Sequence, residues 1–137
     1  MSYWHMNLHP TDHPITNDEI KKIILGQVIG MGIWDEGKGK EQRDNFKDSM
    51  KIGDIVAVMN GQTPIALVEV IGNCYEFNHD ENSIIWFPLR RAVKILELKK
   101  EFVSNAFPSR TQTLKIASDK ETDTYKFIEG WHKGIVC

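Results

Sequence analysis

Cysteine is scarce in this chain: Cys74 and Cys137 are the only two in 137 residues, and they lack C-x-x-C spacing. That excludes a disulfide scaffold and suits a reducing compartment. Long apolar runs are missing as well. No stretch approaches the roughly 20 residues that span a bilayer. Met1-Ser2-Tyr3-Trp4-His5 has neither the basic start nor the apolar core of a signal peptide, so the expectation is a cytoplasmic protein with no membrane partner. An excess of one charge is absent too. Seventeen Lys and Arg against 19 Asp and Glu leave a net charge of -2, which argues against electrostatic coating of nucleic acid but leaves a local basic face open. There are no internal repeats, low-complexity tracts or linkers. A chain of this length, with 41% apolar and 26% charged residues, reads as one soluble globular domain over 1–137.

The usual catalytic signatures are absent: no G-x-S-x-G, no Walker-type glycine loop and no H-E-x-x-H. Asp35-Glu36 and Asp80-Glu81 read as carboxylates of solvated loops. Cys74 and His79 could serve as nucleophile and base, but no third group is there to orient them. His5, His9 and His13 recur every four residues. The prolines after His9 and His13 keep the three off one helix face, so no metal site or cofactor is expected. The chain reads as a non-enzyme.

Periodicity sets out the elements. Tyr3 to Leu8 reads as a first strand ended by His9-Pro10. A short helix over Asn17 to Leu25, capped by Thr16 or Asn17, places Ile20, Ile23 and Ile24 on one face and ends at Gly26. Val28 to Trp34 is an apolar strand, Glu36 to Lys40 a polar loop, and Glu41 to Met50 a second helix burying Phe46 and Met50. After the turn Lys51-Ile52-Gly53-Asp54 comes a buried strand, Ile55 to Met59. Asn60-Gly61 then makes a hairpin into Pro64 to Ile71. Gly72 to Asn82 reads as an irregular loop, and Ile84 to Leu98 as a long strand kinked at Pro88. Thr111 to Ile116 is a short strand or extended segment. Ser118-Asp119-Lys120-Glu121 reads as a capping box for a helix with Tyr125, Ile128 and Trp131 on one stripe before Gly134. Short strands with helices inserted between them suggest a small α+β barrel.

The chain is anchored on Gly30-Met31-Gly32-Ile33-Trp34-Asp35. Here two glycines permit close backbone approach, and a tryptophan offers a wide face with one donor. Tyr75 or Phe77, from the later loop, could form the opposing wall of a slot. Stacking a base on such a wall is worth about 1–3 kcal/mol. Basic residues cluster at Lys38, Lys40, Arg43, Lys47 and Lys51, and again at Arg90-Arg91 close to Trp86. Adjacent strand positions point to opposite faces, so one arginine of that pair could serve a phosphate.

Taken in order, these motifs resemble the EVE and YTH-like branch of the PUA superfamily, small β-barrels that bind modified nucleobases. Tyr3-Trp4-His5-Met6-Asn7-Leu8-His9-Pro10 looks like the first EVE strand. Gly32-Ile33-Trp34 resembles the Gly-Val-Trp of YTH domains, whose tryptophan walls the cage around a methylated adenine. Met50-Lys51-Ile52-Gly53-Asp54 is similar to the Met-Lys-Val-Gly-Asp of EVE domains. Asn60-Gly61 with Ala66-Leu67-Val68-Glu69-Val70 looks like the hairpin that follows. Ile85-Trp86 with Arg90-Arg91 resembles the late YTH strand. Where the YTH cage takes a second tryptophan, this chain offers Tyr75, Phe77 and His79. The EVE Ser-Glu-Pro is replaced by Leu8-His9-Pro10.

The resemblance implies a PUA-like α+β barrel with flanking helices and a non-catalytic reader that flips one modified base, methylated in the similar domains, into an aromatic pocket. It implies Trp34, Ile33, Tyr75, Phe77 and Trp86 around the base, and Asn7, His9, Asp35 and Asn60 reading its edge. Lys38, Lys40, Arg90 and Arg91 would meet phosphates. DNA is the favoured partner, because similar domains are the specificity part of McrB-type modification-dependent restriction systems. The motor and nuclease would then lie outside this chain. Modified RNA is the alternative, and a small-molecule or protein-interaction module with aromatics in its core is a second class of reading.

Overall fold

Short β-branched runs buried at nearly every position form a sheet covered on both faces. The computed structural model describes residues 1–8, 16–32, 37–60, 62–77, 87–101 and 114–136. Its strands are β1 (Tyr3–Asn7), β2 (Val28–Met31), β3 (Ile55–Asn60), β4 (Thr63–Val70), β5 (Tyr75–Glu76), β6 (Leu89–Leu98) and β7 (Leu114–Ile116). The helices are α1 (Asn17–Leu25), α2 (Gly37–Asp44), which continues into a π-helical turn at Asn45–Ser49, and α3 (Asp123–Val136). The strands curl into a half-barrel in the order β2-β6-β4-β3-β1-β7, with β5 added on β6. β1 runs parallel to β3, while β4 runs antiparallel to both β3 and β6. Register shifts between Val58 and Met59 and between Leu67 and Val68 bend this central ladder.

The two faces follow from the period of two along each strand. Trp4, Met6, Val56, Val58 and Val68 point inward against Ile20, Ile23 and Ile24 of α1 and against Phe46 and Met50. Tyr3, Ile55, Ala57 and Leu67 point outward, where α3 covers them with Ile128, Tyr125 and Trp131. The tyrosine–isoleucine–tryptophan stripe expected on the last helix is therefore the stripe that docks.

Local chemistry explains the helix ends. Thr16 is the cap of α1: its hydroxyl accepts from Glu19 N, and the Glu19 carboxylate accepts from Thr16 N, each at 3.1 Å. The left-handed residue at the other end is Gln27 (φ 57°), one beyond Gly26. Three expectations are corrected. Residues 37–40 are helical rather than loop, because α2 is held through Gln42, whose buried amide oxygen accepts from Leu114 N at 2.9 Å. The last helix starts at Asp123 under Thr122, whose Oγ accepts from Tyr125 N, instead of starting from Ser118. It also runs on through Gly134. Within the expected irregular loop, Tyr75–Glu76 forms a short strand.

Candidate nucleic-acid interface

The start of β6 is where the structure gathers the sequence motifs. Arg90 pairs with Gly30 of β2 on one side and with Tyr75 of β5 on the other, and Leu89 pairs with Met31 and Glu76. Phe77 N extends the β5 edge by donating to Pro88 O at 2.8 Å. The entry to the glycine-tryptophan anchor and the aromatic loop thus flank one strand, about 10 Å apart at ordinary strand spacing. Gly30 is required there. A Cβ at that position would collide with the Leu89 carbonyl oxygen and the Phe87 ring.

Tyr75 and Phe77 are solvent-facing, 46% and 53% exposed. Phe77 is backed by the Arg90 guanidinium, 4.6 Å from its ring centroid, and Arg90 Nε donates to Phe87 O at 3.0 Å. A cation under a ring holds it as a platform. Tyr75 borders a recess of about 130 Å³ with Arg43, Lys47, Cys74 and Glu76. Lys47 is exposed, and Arg43 is drawn onto Asp44 at 3.2 Å.

The two expected arginines are placed otherwise. Arg91 is 2% exposed and gives four of its N–H groups to backbone carbonyls: Nε to Phe46, Nη1 to Gly72, and Nη2 to Lys47 and Met50, all between 2.8 and 3.1 Å. Burial pushes its pKa down, opposed by Cys74, Asp54 and Asp48. It is a strut that ties β6 to the π-helical turn, where the i to i+5 bond Met50 N to Asn45 O sets those carbonyls free. Arg90 is also buried and serves as the backing of Phe77.

Asn7 and Asn60, expected to read a base edge, end neighbouring parallel strands and are half-buried. Asn60 Nδ2 donates to Asn17 Oδ1 at 2.7 Å, linking β3 to the first residue of α1. Lys40 is exposed on α2. Ile33, Trp34, Asp35, His9 and Trp86 lie outside the described residues, as do Glu36, His13, His79, Asp80, Glu81 and the Lys38 side chain. Cys74 is half-buried, and burial pushes its thiol pKa up, with Arg91 and Lys47 pulling it back. A nucleophile needs the opposite shift. Among the described residues, no three His, Cys, Asp or Glu side chains gather as metal ligands, and no helix is long and apolar enough to cross a membrane.

Sequence reasoning missed Asp54 as a structural centre. Its carboxylate accepts from Ser2 N, Trp4 Nε1 and Lys51 N at 2.9–3.0 Å, closing the Met50–Asp54 motif around β1, and Gly53 takes φ +96° to form that turn. The motif is thus a joint between strands. Its position, directly before a buried strand, is the signal that could have revealed it.

A protein-family model described as "Domain of unknown function (DUF8426)" matches residues 11–115, more than half of the chain. The chain belongs to this family. No curated protein sequence matches it. Among solved structures, protein Atu2648 from Agrobacterium tumefaciens is similar at 20% identity and TM-score 0.51, covering 98% of this chain and 93% of that one. Human THYN1, solved in complex with 5-methylcytosine containing DNA, is similar at 16% identity and TM-score 0.46, with 98% of this chain and 78% of that one covered. The fold of this DUF8426 member is a small α+β half-barrel with flanking helices, the architecture expected from the sequence. The family match runs from ahead of α1 into β7, so β1 and α3 lie outside it.

Proposed function

We propose that this chain is a non-catalytic reader of a modified, methylated base in DNA, stacking the base on Trp34 against Tyr75 or Phe77. The observation that carries the reading is the exposed Tyr75–Phe77 pair, backed by Arg90 and set one strand away from the anchor that leads to Trp34. Large aromatics left open to solvent beside cations suit base stacking better than core packing. A base flipped from its helix costs a few kcal/mol of stacking, which two aromatic walls and edge hydrogen bonds can offset. Asn7, His9, Asp35 and Asn60 are the proposed edge readers, with Ile33 and Trp86 completing the pocket. Because Arg90 and Arg91 are committed within the fold, phosphate contact falls to Lys38, Lys40 and Lys47.

The sequence resemblance supports DNA over RNA and a role as the specificity module of a cytoplasmic, modification-dependent restriction system, whose motor and nuclease are separate domains or subunits. Three phosphate contacts give log affinity against log salt a slope of about -2 to -3. Phe77→Ala and Tyr75→Ala are expected to lose about 1–3 kcal/mol of binding at the wall residue, with little loss of stability because both side chains face solvent. Binding isotherms at several salt concentrations check both points. A flat salt response, or full binding in both variants, overturns the proposal.

A further inference from the structure

The ring of Phe77 has two unlike faces. One is covered by the Arg90 guanidinium, whose carbon stands 4.6 Å from the ring centroid. The side chain is still 53% exposed, so the opposite face is open to solvent. Arg90 is buried and held in place: Nε donates to Phe87 O at 3.0 Å, and the Phe87 ring centroid lies 5.9 Å from the guanidinium carbon. The Phe87 ring in turn packs on Gly30, where a Cβ would strike it. The period of two along a strand sets Tyr75, Phe77 and Arg90 on one face of the β5–β6 ladder, and Glu76 with Leu89 on the other. The charge behind the Phe77 ring is therefore a fixed positive one.

That charge changes what the open face can hold. An aromatic ring carries negative charge density on both faces, and an unbacked ring attracts a cation to either. A cation already seated on one face draws that density toward itself and leaves the other face a poor seat for a second. A base stacked on the open face at van der Waals distance lies about 8 Å from the guanidinium carbon. Near a protein surface, two like charges at that separation repel enough to shift an equilibrium about tenfold.

We infer that Arg90, acting through Phe77, is a positioning residue that sets specificity: it admits neutral modified bases and rejects bases that methylation has made cationic. The inference rests on the base-reading proposal and adds the charge class of its ligand. Methylation at an exocyclic amine or a ring carbon leaves a base neutral. Methylation at N1 of adenine or N3 of cytosine leaves it positively charged at neutral pH. N6-methyladenine and 1-methyladenine are thus isomers of different charge, as are 5-methylcytosine and 3-methylcytosine.

The test is a set of binding isotherms of the full chain for short DNA duplexes, each carrying one of these four bases opposite an abasic site. None of the four is then paired, so differences in pairing strength drop out. The expected result is that the better-bound neutral base exceeds its cationic isomer in affinity by about tenfold or more. Arg90→Met keeps the apolar stem and removes the charge, and is expected to cut that ratio to about threefold or less. A loss of affinity that is merely structural falls on both isomers and does not move the ratio. Lys47→Met is accordingly expected to weaken both isomers and keep the ratio. Phe77→Leu, at an exposed position, removes the ring and should also collapse the ratio, which decides the matter if Arg90→Met does not fold. Equal or tighter binding of a cationic isomer by the parent chain overturns the inference and leaves the reader in place. A ratio unchanged in both Arg90→Met and Phe77→Leu does the same. No binding to any of the four duplexes overturns the base-reading proposal and this inference with it.

Discussion

Asp54 shows how one side chain can fix a joint between distant segments. Three N–H donors from residues 2, 4 and 51 converge on a carboxylate that is 3% exposed. Asp54→Asn keeps the shape but turns an N–H₂ toward N–H donors, so the substitution is expected to cost about 2–3 kcal/mol. Urea denaturation checks this. The midpoint should fall with an unchanged m-value, and a midpoint equal to the parent's would contradict the account. At the same scale, Arg91 marks where reading residues one at a time misleads. Next to Arg90 and near Trp86 it resembles a phosphate donor. Yet Leu89, Arg91, Val93 and Ile95 form a period-two series whose apolar members face the inner core. The alternation in the sequence already placed Arg91 inward, where only a guanidinium could satisfy four carbonyls at once.

Among the elements, α3 is tied to the sheet by polar contacts as well as apolar ones, Tyr3 OH meeting His132 Nδ1 at 3.1 Å. Trp131 Nε1 donates to Glu97 Oε1 at 2.8 Å, and Lys99 Nζ meets the same oxygen at 3.1 Å and lies 4.7 Å from the indole centroid. The hydrogen bonds from Lys99 and then Trp131 hold the Glu97 carboxyl below its usual range, with burial opposing them. A carboxylate depressed in the folded state adds stability above the unfolded value, near pH 4.3, and loses it as pH falls through that value and below. The Trp131 indole N–H resonance should therefore move toward its exposed position on acidification below about pH 4, and Glu97→Gln should remove that dependence. An indole shift that follows pH equally in both proteins would contradict it. The elements best read from sequence were those with local chemistry: helix α1 with a cap at Thr16, the hairpin between β3 and β4, and the stripe on α3. The second helix was expected from Glu41, but its first turn, Gly37 to Lys40, was illegible because Gly37 to Asp44 carries no apolar stripe, and its strong tie, Gln42 to Leu114, spans 72 residues.

For the whole molecule, a two-faced sheet divides the chain into a barrel interior, held with α1, and an outer layer, held with α3. The β5–β6 edge of the sheet carries the exposed Tyr75 and Phe77. The order of elements along the sequence led to the α+β half-barrel, because helix caps, strand periods and turns are local in the chain. The candidate site was only partly legible. Tyr75 and Phe77 were identified by residue type, but the ladder that sets them beside Gly30 is a pairing between strands far apart in sequence, which no local pattern encodes. The central claim is that this surface selects a modified base. It is tested most directly by a fluorescence titration against short duplexes that carry one 6-methyladenine, 5-methylcytosine, 4-methylcytosine or 5-hydroxymethylcytosine, or no modification, with single-stranded DNA and RNA versions alongside. The account predicts a preference of about tenfold or more for one modified base, equivalent to about 1.4 kcal/mol, and its loss in Trp34→Ala with the fold intact. Equal, weak binding to every oligonucleotide would contradict it.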